Sequence, residues 1–180
     1  MNRLGCVMEF LLPHQEPSTF SKQVHLRLQP HHWSAAYACL GERNREAGLR
    51  ICPVATLGGG DAAKQMNVEF RATDATANAY LALAGLITAG LAGLAEELPQ
   101  PALVNADPSE LSPETLAERG VRRLPGDLPA ALEAFQADPV LMGWVPPLLA
   151  GCLLSVKRKE MSLVHGLDPA ALCERYRAVY

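Results

Sequence analysis

The 180-residue sequence contains no CxxC pair, no GxxxxGKS or GxxxxGKT loop and no GxSxG elbow. Their absence excludes zinc-ribbon and thioredoxin-type sites, the phosphate loop and the α/β-hydrolase nucleophile. The five cysteines (Cys6, Cys39, Cys52, Cys152, Cys173) are scattered and odd in number. Glu9 interrupts the apolar run from Met1 to Leu12, so no secretory leader is expected. The thiols are therefore read as reduced and the location as cytoplasmic. Neither charge is in large excess: 16 Lys and Arg stand against 19 Asp and Glu, a net charge of −3. That balance does not suggest a polyanion, and no nucleic-acid partner is expected. No apolar run reaches the roughly 20 residues of a membrane span. The longest, Ala79 to Ala95, is rich in Ala and Gly, lacks GxxxG and is followed by Glu96 and Glu97. It is read as a buried helix packed through its small residues, and no membrane partner is expected. His31-His32 point apart on regular structure and His14, His25 and His165 are isolated, so no zinc site is expected.

What is present alternates with period two in three places. Val24, Leu26 and Leu28 oppose His25, Arg27 and Gln29, and Pro30 ends the run. Leu49 and Ile51 oppose Arg50 and Cys52. Met66, Val68 and Phe70 oppose Asn67, Glu69 and Arg71. Between the last two runs, Gly58-Gly59-Gly60-Asp61 reads as a turn, and the simplest pairing is an antiparallel hairpin. Trp33 to Leu40 is apolar, small and of undecided type.

After Asn78 the pattern becomes helical. Asn78 or Thr76 is a candidate cap for the helix from Ala79. Val104 to Gly126 reads as a connection with one helical turn at Pro113 to Arg119. Short helices are expected at Leu128 to Gln136 and Pro139 to Val145, and a longer one from Pro147 to His165, ending at Gly166. A final helix starts at Asp168-Pro169, a cap followed by proline in the first turn. The fold class is therefore α+β: antiparallel strands in the N-terminal third, then an all-helical C-terminal part. Residues 1–20 are read as irregular and 21–180 as one domain.

The charged strand faces carry the candidate chemistry. Arginine offers a planar fork of donors matched to phosphate or carboxylate. Arg27, Arg45, Arg50 and Arg71 are placed to converge on one polyanionic small molecule. Glu69 among them fits if a cation such as Mg²⁺ bridges it to phosphate oxygens. The alternative is a solvated face on which Glu69 only neutralises the arginines. Lys157-Arg158-Lys159-Glu160 is read as a solvated helix face.

Several segments in register resemble the glutamine synthetase family. They are Arg27-Leu28-Gln29-Pro30, Trp33-Ser34-Ala35, Asn44-Arg45 with Arg50, Glu69-Phe70-Arg71, and Asp74 to Leu81. Gly90-Leu91-Ala92-Gly93-Leu94, Leu124-Pro125 and Val156 to Glu160 continue the likeness, which runs from about Pro17 to Tyr180 and matches the C-terminal half of the catalytic domain. The resemblance implies a partial catalytic domain over 21–180 of an ATP-dependent ligase. Such enzymes form γ-glutamyl phosphate from ATP and glutamate, then a γ-glutamyl amide with ammonia or an organic amine. It implies that Arg27 and Arg71 hold glutamate carboxylates and the transferred phosphoryl group. Arg45 and Arg50 would bind ATP phosphates, with Arg45 and Arg71 as the catalytic arginines, and Glu69 would ligate Mg²⁺ or Mn²⁺.

The departures also carry implications. Where ammonia-using members have a glutamate after the Arg-Leu-x-Pro strand, this chain has Trp33. Its ring face can hold a cation but cannot act as a base, which favours an organic amine such as a polyamine. Asn-Pro-Tyr is Asn78-Ala79-Tyr80 here, and no tyrosine between Tyr80 and Tyr176 offers an adenylylation site. The family's β-grasp domain and its carboxylate-bearing strands have no counterpart in these 180 residues. The chain by itself is therefore expected to be inactive, and the homo-oligomeric rings of the family are not expected for it. The alternative is a non-catalytic structural relative.

Overall fold

The computed structural model describes residues 35–55, 58–73 and 77–177. The strand expected at Val24 to Gln29, with Arg27, and the segment bearing Trp33 lie outside these residues. Among the described residues four strands form one sheet: β1 (Tyr37–Glu42), β2 (Ala47–Ile51), β3 (Val68–Phe70) and β4 (Arg122–Arg123), in the order β3-β2-β1-β4. The helices are α1 (Ala62–Gln65), α2 (Ala79–Ala95), α3 (Pro113–Glu118), α4 (Leu128–Ala137), α5 (Pro139–Trp144), α6 (Pro147–Val164) and α7 (Pro169–Arg177). The α+β class holds, with two corrections. The sheet is mixed rather than antiparallel, because β1 and β2 run parallel. The later part is not all helical, because β4 returns to pair antiparallel with β1. Val121 and Leu124, buried on either side of β4, hold that return, and Leu124 N–H donates to the Ala36 carbonyl at 2.9 Å.

The parallel pair is unusual, since such pairs ordinarily need a crossover of a dozen or more residues. Here only Arg43 to Glu46 intervene. The link folds back closely over Gly41, where a Cβ would meet the Val104 carbonyl oxygen at 2.6 Å, Asn44 Cβ at 2.7 Å and Ala47 Cβ at 3.0 Å. Arg43 takes the left-handed conformation (φ 59°) and donates its N–H to the Ile51 carbonyl at 3.0 Å. β2 and β3 pair antiparallel as expected, with Leu49 opposite Phe70 and Arg50 opposite Glu69.

Proline after an acidic or hydroxyl cap starts one helix after another. Ser112, Asp127 and Asp138 cap α3, α4 and α5, each with proline in the first turn. Asp138 is buried because its Oδ1 accepts from the N–H groups of Val140 (2.8 Å) and Leu141 (3.1 Å). Asp168 accepts from Ala171 N–H at 2.9 Å, and Asn78 Oδ1 caps α2 by accepting from Tyr80 and Leu81, both at 3.1 Å. Among the described residues three clusters make the core. Tyr37, Cys39, Ala47 and Val104 pack on one side of β1, and Ala38, Ala72 and Leu124 on the other. Ala89, Phe135, Leu141, Ala150 and Leu154 join α2 to α4, α5 and α6. The α2 helix is only partly interior: Gly85 and Ala89 are buried and Leu86 packs against the core, but Tyr80, Leu83, Ile87, Leu91 and Leu94 are exposed. Among the described residues no helix is long and apolar enough to cross a membrane. On α6, Arg158 and Lys159 are exposed, as read from the sequence. Lys157 and Glu160 are half-buried and paired at 3.0 Å, while Arg158 Nη2 donates to Gln136 Oε1 of α4 at 2.7 Å.

Candidate functional site

The register of β2 against β3 sets Arg50 directly across from Glu69, and alternation puts Arg71 on the same face. Glu69 bridges both guanidinium groups. Its Oε2 lies 2.5 Å from Arg50 Nη2 and its Oε1 lies 2.9 Å from Arg71 Nη1. The arginine side chains are 16% and 15% exposed, and Glu69 is 39% exposed. This is a half-buried cluster of net charge +1, with each carboxylate oxygen engaged. Arg50 Nε is buried and has no hydrogen-bond partner among the described residues. An orphaned guanidinium donor beside two cationic forks suits an oxyanion better than a closed neutral pair.

The turn between β1 and β2 fixes one flank. Asn44 Nδ2 donates to the carbonyls of Val104 (2.7 Å) and Ala106 (3.0 Å), while its Oδ1 accepts from Glu46 N–H at 2.9 Å. The Arg45 carbonyl, held in that turn, accepts from Arg71 Nε at 3.1 Å. Arg45 thus reaches the cluster through its backbone, and its side chain is exposed. Arg71 N–H donates to the Gly48 carbonyl at 2.9 Å. Of the expected site residues, the fold therefore gathers Arg50, Glu69 and Arg71 and sets Arg45 at the rim, while Arg27 lies outside the described residues.

Sequence reasoning missed two members. Asn44 organises the turn, and an asparagine that bonds the backbone two residues on is a readable turn signal. Cys52 was placed on Arg50's face but given no role. Its Sγ accepts from Arg50 Nη2 at 3.9 Å and donates to Glu69 Oε2 at 4.0 Å. Cys39 is different: burial pushes its thiol up to about 11, opposed by a hydrogen bond with the Gly48 backbone. At pH 8 only about one such thiol in a thousand is a thiolate. Peptide mapping after brief iodoacetamide treatment at pH 8 should find exposed Cys152 labelled and Cys39 unlabelled.

The cluster does not by itself fit a divalent cation. Mg²⁺ asks for several oxygen ligands in near-octahedral order. Among the described residues no three of His, Cys, Asp and Glu gather, and both oxygens of Glu69 face arginines.

The candidate site is thus a half-buried arginine face of net charge +1 on a small mixed sheet, followed in the chain by a capped apolar helix. Residues 19–170 match the family model described as glutamine synthetase, catalytic domain. The chain belongs to the glutamine synthetase family. It is 42% identical over 155 residues to the gamma-glutamylpolyamine synthetase GlnA3 of Streptomyces coelicolor, covering 86% of this chain and 33% of that protein. It is 35% identical over 117 residues to the glutamate–methylamine ligase of Methyloversatilis universalis, covering 65% of this chain and 24% of that one. A crystal structure titled as a novel glutamine synthase homolog superposes with a TM-score of 0.73 at 40% identity, covering 98% of this chain and 38% of the other. The chain thus spans about a third of the length of such relatives.

Proposed function

We propose that this chain supplies the anion-binding wall of an ATP-dependent ligase that joins the γ-carboxyl group of glutamate to an amine. The observation that carries this reading is the Arg50–Glu69–Arg71 cluster with its unfilled Arg50 donor. In it, Arg50 and Arg45 hold the phosphates of ATP. Arg71, with Arg27, holds a carboxylate of glutamate and the phosphoryl group in transfer. Glu69 keeps the two strand arginines parallel and apart. Such fixed donors lower the barrier by positioning and by neutralising charge as it moves between oxygens. The metal-binding part of the site is not among the described residues, so no step through a cation is assigned to them. Trp33 and the greater likeness to a gamma-glutamylpolyamine synthetase (42% identity) than to the glutamine synthetase of Frankia alni (38%) both favour an organic amine over ammonia.

Two measurements on the 180-residue chain test this. ATP at about 100 times its Kd should raise stability by roughly 2.7 kcal/mol, and Arg50→Ala should remove that gain. Adenosine at the same concentration should give no shift. Incubation with ATP, glutamate and putrescine should yield no γ-glutamyl product from the chain alone. No shift with ATP would favour a non-catalytic structural role, and clear turnover would overturn the incomplete-wall reading.

A further inference from the structure

The exposed side of α2 reads the same, size for size, in both directions of the helix. Ala82, Gly85, Leu86 and Ala89 turn toward α4, α5 and α6. On the opposite side Ile87 stands midway, 59% exposed. Tyr80 and Leu94 lie seven residues to either side of it, 87% and 77% exposed. Leu83 and Leu91 lie four residues to either side, 58% and 62% exposed. Ala84 and Gly90, three residues to either side, are exposed and small. At about 100° per residue the bulky five fall within roughly 40° of Ile87, and the small pair flanks them at about 60°. The face is an apolar ridge with a low shoulder on each side, and α2 carries no charge from Ala79 to Ala95.

We propose that this face pairs with the same face of a second copy of the chain, the two α2 helices running antiparallel about a two-fold axis through Ile87. Three observations select that occupant. The first is the symmetry of the ridge. A two-fold interface sets residue i against j and j against i, so it needs a self-complementary patch. Ile87 meets its own copy, Leu83 meets Leu91 and Tyr80 meets Leu94, while the shoulders at Ala84 and Gly90 let the helices approach closely. The second is charge. Glu96 and Glu97 follow the C-terminal end of α2, where the helix dipole disfavours a carboxylate. Antiparallel pairing sets them beside the N-terminal end of the other helix, where the dipole favours one. A parallel pairing would bring the acidic ends together. The third is area. The ridge exposes on the order of 600 Å², so two copies bury about 1,200 Å², the lower bound of a specific interface. A reversible dimer forming at micromolar concentration is therefore expected. A lipid surface is the poorer occupant, since α2 has no lysine or arginine to meet headgroups.

Sedimentation velocity of the full chain, over a concentration series through the micromolar range, tests the pairing separately from the ligase reading. A monomer–dimer equilibrium is expected. Ile87→Asp sets two carboxylates face to face on the axis and should raise the dissociation constant by about tenfold or more. Circular dichroism and the thermal midpoint should stay near wild type, because the side chain is largely exposed. The axis is tested by crosslinking with diamide as oxidant. Ile87→Cys should join two chains through position 87, identified as a linked peptide by mass spectrometry. Leu94→Cys alone should not join through position 94, but should join to Tyr80→Cys when the two variants are mixed. A monomer throughout the series, a dimer indifferent to Ile87→Asp, or Leu94→Cys linking to itself as readily as Ile87→Cys would overturn the proposal. So would flotation of a monomeric chain with phosphatidylcholine vesicles that Ile87→Asp abolishes, which would give the face to a membrane.

Discussion

Glu69→Gln is expected to lower stability by about 1–3 kcal/mol, read as a fall of roughly 3–10 °C in the thermal midpoint. The carboxylate makes two charge-assisted contacts, to Arg50 at 2.5 Å and to Arg71 at 2.9 Å. Glutamine keeps the shape but turns one acceptor into a donor facing a guanidinium, and it raises the net charge of the three side chains from +1 to +2. Because Glu69 is 39% exposed, water screens part of that repulsion, so the upper figures for buried pairs do not apply. Added phosphate at about 50 mM should recover more stability in the variant than in the wild type, since two guanidinium groups that have lost their counter-charge attract an oxyanion more strongly. A change within about 0.5 kcal/mol, unaffected by phosphate, would make the cluster an ordinary surface ion pair. The same substitution separates the two roles open to Glu69. An organiser of arginines loses stability without any metal present, whereas a pure metal ligand would not.

The cluster was legible in the sequence because strand periodicity is strict. Once Leu49 and Phe70 face a core, Arg50, Glu69 and Arg71 must share the other face. The cap at Asp168 was equally legible, because an acid followed directly by proline restricts the backbone, and the helices after Asp127 and Asp138 were expected without their caps being named. β1 was not. Its Tyr37, Ala38 and Cys39 are buried on both faces, so no alternation marks them. The parallel pairing of β1 and β2 was hidden for a different reason. A four-residue link ordinarily implies a hairpin, and what permits the exception is the space above Gly41, a property of the assembled turn. The direction of α2 was also unreadable, since a helix apolar on every side carries no moment to say which side meets the core. The site was legible only in part: its strands declare themselves, but Asn44 and Cys52 act through contacts that arise only when the turn and both strands are in place.

That turn makes the second large prediction. Gly41→Ala should destabilise by about 2–4 kcal/mol. The new methyl group would meet the Val104 carbonyl oxygen at 2.6 Å, backbone that cannot swing aside, as well as Asn44 and Ala47 Cβ. Asn44→Ala should cost about 2 kcal/mol by a different route, leaving the Val104 and Ala106 carbonyls without their donor. Both act on the same link, so the double variant should lose less than the sum. Gly143→Ala is the control: it lies in α5 with open space around its would-be Cβ and should be neutral or slightly stabilising. The functional consequence follows from Arg71 Nε, which donates to the Arg45 carbonyl of this turn. Displacing the turn frees Arg71 from one of its restraints and moves Arg45. The stabilisation by ATP should therefore shrink in Gly41→Ala and Asn44→Ala, measured at temperatures where each variant is still folded. Gly143→Ala should keep it in full. If ATP stabilised all three equally, the turn would serve the fold alone and the anion wall would consist of the strand arginines.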